Sequence, residues 1–596
     1  MARASDGRGG GTVVVIGGGL AGLSAADALL SSSPARASVT VLEASARVGG
    51  RTASMASAVV PGAVVDIGGQ WFGARQEAAL ALGRELGIRL LPQYCEGRRV
   101  VQMGTDVRTY AGLIPNVAWS ALVDVQLAIW CLKALQALVG CFPAVRRWAD
   151  RTTMAAMAAR LLWTTVGTAL LRIVVQALFG AEPEAVSVLA FCRYVTASDS
   201  IERMSEIGPG SLQCWTLAGG AQQLSLRLAD RVLARGGRLL FNRRVVSVER
   251  GVAASAAGHS TTGSAPCRVV CDDGSVLLAD TVIVAMAPPI AARIRFNPPL
   301  PPHRVALGAE SRMGCIIKAL VLYPRAFWRH AGYSGEVICD TASDPGHGPA
   351  FNIFDGSALV RDPDVAAGCL PSGGATGAPA TPSAHYIAPE PRPGVEWVIV
   401  PPPPGTHGEP GRAVPTLVAF INGARAAEWS SVPADERRTA VLRQFARWFG
   451  SDEALAPLEY IEQDWTRDPF AAGCPIASYG AGVLGGYGLA RALAESTWQD
   501  DAGGPCRLHF AGTEVSPIGT GFMDGAIRSG HTAAAAASAT LAAAPLPPTA
   551  AFTFAPLSAA VAAPAAAAAA AADGMMMPAV VTDGDPAARL LAAHSA

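Results

Sequence analysis

Residues 13–30 read VVVIGGGLAGLSAADALL, and their reading decides the fold. A β-branched run ends at Gly17, the glycines Gly17, Gly19 and Gly22 fit G-x-G-x-x-G, and an alanine-rich helix follows. Glycine permits the tight turn and lets backbone N–H groups approach a pyrophosphate at the helix N-terminus. Alone the pattern is weak; its surroundings strengthen it. A second strand-like run, SVTVLEA (38–44), brings Glu43 and Ala44 to the spacing at which an acidic side chain accepts hydrogen bonds from a ribose. The expectation is a doubly wound, Rossmann-like α/β domain holding a dinucleotide.

The next turn indicates which one. ARVGGRT (46–52) supplies Gly49, Gly50 and the cation Arg51, which suits FAD, whose longer body needs more donors than NAD. Near the other end, RLHFAGTEVSPIGTGFMDGAIRSGHTAA (507–534) reads as a buried strand, a loop and a helix with Asp524 in its first turn. In this segment Glu514 is expected to bind a sugar-like hydroxyl chain. Backbone N–H groups around Phe522 and Met523 are expected to meet the pyrimidine end of a flavin. A plain strand–helix unit is the alternative for this segment taken by itself.

Composition bounds the rest. The chain has 596 residues, 51% apolar and 16% charged, with 47 basic and 47 acidic side chains. So large an apolar share supports a sizeable interior. A formal charge of zero removes the electrostatic case for a nucleic-acid partner. The twelve cysteines form no CxxC pair or metal-ligand cluster, so free thiols and no metal are expected. The N-terminus MARASDGRGGG lacks an apolar signal core, which points to an intracellular, cytoplasmic protein. From about Leu541 the chain turns Ala/Pro-rich, with no charge between Arg528 and Asp573. Pro545, Pro547, Pro548, Pro556 and Pro564 favour a disordered tail, with a membrane anchor as the minor alternative. A Gly/Pro-rich stretch over 357–413 reads as a surface insertion. Apolar helices are expected over 116–179 and, because Asp124, Lys133, Arg160 and Arg172 interrupt them, as core or substrate-domain helices rather than membrane spans.

Taken together the motifs resemble the flavin-containing amine oxidases, and within them the monoamine oxidase group. The resemblance is carried by VVVIGGGLAG, VLEASARVGGRT, VVDIGGQWFG (64–73), WTLAGGAQQL (215–224), IRFNPPLP (294–301), MGCIIKALVLYPRAFW (313–328), EQDWTRDPFAAGC (462–474) and FAGTEVSPIGTGFMDGA (510–526), in order across nearly all of the core. It implies an α/β plus α+β fold. A GR2-type FAD domain over 12–79, 214–300 and 457–541 interleaves with a mixed-sheet and helical substrate domain over 80–213 and 301–456, leaving 542–596 as tail. It implies oxidation of a C–H beside an amine nitrogen, with hydride passing to the flavin and O2 returning as H2O2. The small-molecule partners are then an amine and O2; oligomeric state is not legible.

The same resemblance assigns residues. Lys318 matches a lysine holding a water beside the flavin, against the reading of an ordinary strand-end lysine. Trp465 matches a tryptophan packed near the flavin, Gln213 a substrate-orienting glutamine, and Val245 a backbone contact to adenine; core, surface and strand positions are their plain alternatives. Gln70, Trp71 and Gly512 fall in cofactor-contacting motifs. Cys474 stands where covalent members carry the cysteine joined to the flavin 8α carbon; other members bind flavin without the link. The sequence departs from the family at the aromatic cage. Pro475 and Phe522 replace its two tyrosines, and a pocket phenylalanine aligns with Ala424. Tyr479 or Tyr487 is the nearest source of a replacement ring. GGQWFG lacks the arginine with which amino-acid oxidases grip a carboxylate, so amines are expected, polyamines included. The competing readings are a flavin oxidase or desaturase acting on a non-amine, and a weakly catalytic flavin-binding interaction protein.

Overall fold

The computed structural model describes residues 11–32, 37–112, 115–198, 200–250, 267–340, 348–359, 398–400, 411–485, 497–498 and 507–543. Nearly all of the tail, most of the 357–413 insertion and Tyr487 therefore lie outside the described residues. At the borders of the insertion, Ala358–Leu359, Val398–Val400 and Gly411–Val414 form a three-stranded sheet.

The first sheet has five parallel strands in the order Leu508–Ala511, Thr281–Ala285, Thr12–Ile16, Ser38–Leu42 and Arg238–Leu240, with Thr497–Trp498 added antiparallel at one edge. Its central strands TVVVI and TVIVA are buried along their whole length, as parallel strands covered on both faces require. At the end of TVVVI the chain turns into the Leu20–Ser32 helix. Gly17 makes that turn at φ +110°, and a Cβ on Gly22 would lie 2.0 Å from the Gly17 carbonyl oxygen. Only glycine lets the helix sit this close to the strand end. The long Met523–Ala543 helix packs against the first helix, so the two ends of the chain share one layer.

The second sheet has seven strands, in the order Glu459–Asp464, Ile316–Leu322, Thr416–Asn422, Asn352–Asp355, Tyr333–Asp340, Arg98–Met103 and Asp106–Tyr110. The Glu459–Asp464 strand corrects the boundary expected at 457. It pairs antiparallel with Ile316–Leu322 and so belongs to this sheet, not to the dinucleotide half. Alternation along IIKALVL sorts its side chains. Ile317, Ala319 and Val321 pack with Phe445, Trp448 and Phe449 of the Ala434–Phe449 helix. Lys318 therefore faces the other way. Across the strands Lys318 pairs with Phe420, and Phe420 with Asn352, placing three side chains in one row on that opposite face.

Residues 119–179 form four helices, Trp119–Cys141, Pro143–Arg151, Met154–Leu161 and Thr165–Phe179. The first is long and apolar enough to cross a membrane by length and composition, and most of its surface is not buried, so of the two expected placements, core or substrate-domain helix, it is not a core helix. Its fully buried Asp124 accepts hydrogen bonds from Thr164 N at 2.8 Å and Thr164 Oγ1 at 2.5 Å, while Thr164 in turn caps the Thr165–Phe179 helix at Gly167 N, 2.9 Å. Asp124→Ala would strand those donors and is expected to cost about 2 kcal/mol, with Asp124→Asn costing less. Thermal unfolding of both variants checks this; an unchanged midpoint for Asp124→Ala would contradict it.

Candidate active site

A cavity of about 640 Å³ runs between the Gly17 turn of the first sheet and the Lys318 face of the second. Its first end is floored by backbone. A Cβ on Gly19 would meet nothing closer than the Gly49 carbonyl oxygen at 3.9 Å, and one on Gly50 nothing closer than the Gly19 Cα at 3.6 Å, so side chains there would project into the space. Gly17, Ala44, Val245 and Gly512 also line it, and Gly22 packs behind it. Glu43 lines the wall with its carboxylate braced by Gly18 N at 2.7 Å and by Ser45 N and Oγ at 2.8 and 2.7 Å. Arg47, Arg51, Arg243, Arg244 and Arg293 supply guanidinium groups against the carboxylates of Glu43 and Asp468. A glycine floor ringed by guanidinium groups, of which Arg51, Arg243 and Arg244 are also paired with Glu514, Asp273 and Asp272, fits the pyrophosphate of FAD.

Glu514 stands directly behind Gly512 of the wall. It is almost fully buried and absent from the cavity wall, and it pairs with Arg51 through contacts of 2.6 and 3.1 Å. A buried carboxylate needs such a partner. Burial works against the Arg51 charge, but Glu514 more than offsets it and raises the arginine's pKa. Arg51 also donates to the Pro475 carbonyl oxygen at 2.8 Å, tying the glycine turn to the Cys474 segment.

At the second end Lys318 is the principal charge. Its Nζ donates to the backbone carbonyl of Asp66, to that of Gly68 at 2.9 Å and to Gln70 Oε1 at 3.0 Å. Three acceptors match the three N–H bonds of an ammonium, so the protonated form suits the geometry. Burial pulls its pKa down to about 8, opposed by Asp66, whose carboxyl burial pushes up to about 6. Nζ also lies 5.4 Å from the Trp71 ring and 5.5 Å from the Phe420 ring, within cation–π range.

Trp465 is buried, lines the cavity and donates from Nε1 to the Ile67 carbonyl oxygen at 2.8 Å. Cys474 lines the cavity as a free thiol, and burial pushes its pKa up to about 12 against the lowering fields of Arg51 and Lys318. Gln70, Trp71, Gln213, Pro475, Phe522 and Met523 reach the wall as well. Ala424 does not. It is exposed, beyond the end of its strand, with its N–H bonded to Glu182. The ring near that position is Phe420, four residues earlier. Tyr479 is likewise outside the wall, packed in the helical core.

Sequence reading missed the aromatic wall. Trp71, Phe354 and Phe420 pack with centroids 5.4 to 6.0 Å apart, and Tyr194 lies 5.7 Å from Phe522 on another part of the wall. It also missed Asn352 and Asn422, whose Oδ1 atoms have no hydrogen-bond partner and whose side chains line the cavity. The signal was present in the period-two pattern of the strands, since Phe420 and Asn422 share a face, as do Asn352 and Phe354.

The geometry agrees with what known proteins show. The family model for flavin containing amine oxidoreductases matches residues 20–358 and 394–538. The putative flavin-containing monoamine oxidase AofH of Mycobacterium tuberculosis (strain ATCC 25618 / H37Rv) is 31% identical over 530 residues, spanning 88% of this chain and 95% of that protein. The probable flavin-containing monoamine oxidase A of Dictyostelium discoideum is 27% identical over 525 residues, 87% of this chain and 95% of its own. The solved cyclohexylamine oxidase from Brevibacterium oxydans IH-35A matches with a TM-score of 0.69 and 27% identity, covering 89% of this chain and all of that one. With a dinucleotide floor at one end of its cavity and a buried lysine at the other, the chain belongs to the flavin-containing amine oxidoreductase family and is an FAD-dependent oxidoreductase acting on amines.

Proposed function

We propose that the chain oxidises monoamines with an apolar or aromatic body, which dock against the Lys318 face of the cavity. The observation that carries this is the distribution of charge. Among the described lining residues the carboxylates are Glu43 and Asp468. Glu43 lies at the glycine floor, and Asp468 is turned to the backbone N–H groups of Phe470 and Ala471 at 2.9 and 2.6 Å. No carboxylate is left to receive the distal ammonium of a diamine, and a buried unpaired charge is strongly disfavoured. The rings of Trp71, Phe354 and Phe420 favour an apolar body. Desolvation against these rings lowers the pKa of the bound amine and favours its neutral form. Bound FAD supplies the hydride acceptor.

The residue roles follow the same reading. Gly17, Gly19, Glu43, Ala44, Gly50, Arg51, Val245 and Gly512 hold the dinucleotide, with Gly22 and Glu514 supporting them from behind. Gln70, Trp71, Trp465 and the backbone at Phe522 and Met523 frame the ring system. Gln213, Pro475 and Phe522 bound the substrate. Lys318 keeps a positive charge beside the reacting centre, where it stabilises the negative charge that develops on O2. We also propose a thioether between Cys474 Sγ and the flavin 8α carbon, which would replace the thiol S–H and one 8α C–H and pass the two electrons through the flavin to O2, since Cys474 and Trp465 both reach the wall.

Hydrogen peroxide release from an amine panel tests the substrate class. Arylalkyl or cycloalkyl monoamines are expected to exceed an aliphatic diamine in kcat/KM by at least about tenfold; equal or faster diamine turnover would remove the proposal.

Lys318→Met is expected to slow the O2-dependent half-reaction by about a hundredfold. Because Lys318 carries its proton below about 8 and loses it above, that half-reaction should slow as pH rises through about 8 in the parent enzyme. The inflection should vanish in Lys318→Met. A parent profile without it, measured by stopped-flow against O2, would reject the role.

Acid precipitation decides the tether. A yellow pellet that Cys474→Ala renders colourless is expected; a yellow supernatant from the parent protein would exclude the bond.

A further inference from the structure

The Trp119–Cys141 helix wears its polarity inside out. Its buried face holds Ala121, Asp124, Ala128, Leu132 and Val139. Its outer face runs through Trp119, Val123, Leu127, Trp130 and Leu138 to Phe142, with Trp119 77% and Trp130 59% exposed. These positions are spaced by three, four or eight residues, which keeps them on one side of the helix in one stripe about 35 Å long. A water-facing helix normally carries charge on this side and apolar residues on the other. Two more exposed tryptophans lie on the segments that follow, Trp148 and Trp163.

On the described helices from Trp119 to Phe179 the exposed charge is basic. Arg146, Arg147, Arg151 and Arg160 are exposed there. The acids between residues 111 and 181 are Asp124 and Asp150, both buried. Asp124 is held by Thr164, and Asp150 accepts from Leu484 N at 2.8 Å. Neither carboxylate lies at the surface of these helices.

We propose that this face docks in the plane of an anionic lipid bilayer. Tryptophan has an apolar body and an N–H suited to the headgroup level, and lysine and arginine meet lipid phosphates while the Val and Leu side chains enter the acyl boundary. Crossing the bilayer is excluded by the helix's own packing. Asp124 would have to leave Thr164 and enter hydrocarbon, and Leu132 and Val139 would leave a core they share with Phe179 and Phe191. A second copy of the chain is the weaker partner, because a two-fold contact here would bring two sets of the same cations together. The proposal is independent of residues 544–596.

Flotation of the purified full chain with vesicles tests it, using phosphatidylcholine alone and phosphatidylcholine doped with phosphatidylglycerol. The chain is expected to float with the doped vesicles and to be released by salt. The double variant Trp119→Ser, Trp130→Ser should lower the bound fraction at least about tenfold while retaining amine oxidation in solution. A parent chain that floats with neither vesicle overturns the proposal. So does a double variant that binds as the parent does, which would locate the contact elsewhere. A parent dimer that the double variant converts to monomer without any vesicle binding would assign the face to self-association and overturn it equally.

Discussion

A single buried ammonium group joins the two halves of this protein. Lys318 rises from the seven-stranded sheet and donates to Asp66, Gly68 and Gln70 of the DIGGQ turn on the dinucleotide side. Removing a charge from water is costly, and here the cost is offset by three directed acceptors and the flanking faces of Trp71 and Phe420. That geometry fixes the spacing between the DIGGQ turn and the sheet, and hence the width of the cavity. Trp465 repeats the arrangement with its donation to Ile67 in the same turn. The Arg51–Glu514 pair, with its bond to Pro475, closes the site from the other side.

These contacts also divide the labour within the cavity. The glycine end exposes backbone and guanidinium groups, which bind oxygen anions without needing shape. The lysine end presents rings and one cation, which favour an apolar, neutral guest. Asn352 and Asn422 also line this second region, with their Oδ1 atoms buried and without a hydrogen-bond partner.

What the sequence disclosed was what local chemistry dictates. The Gly17 turn could be read because a φ of +110° and a 2.0 Å approach leave no alternative to glycine within six residues of chain. Lys318 was legible because a cation between CII and ALVL has no plausible solvent face. The features that stayed hidden depend on distant partners. The pairing of Glu514 with Arg51 was one of them, because the arginine lies 463 residues away in sequence. The strand at 459–464 reads equally well on either side of a boundary until its pairing with Leu322 to Ile317 is seen. Phe420 was displaced to Ala424 because motif alignment does not reveal where the strand ends, whereas the register to Lys318 does.

The outer helix marks a limit of another kind. Its apolar stripe and its small buried face share the 3.6-residue period, so periodicity gives an orientation only once a partner is known. Asp124 settles the matter. A carboxylate is expected outside, and reading it as a charge that interrupts a core helix follows from that expectation. In the structure it points inward and fastens the helix to Thr164, which forces the tryptophans outward. One buried acid therefore determines which side of the helix meets the surroundings, and leaves that side apolar among exposed cations.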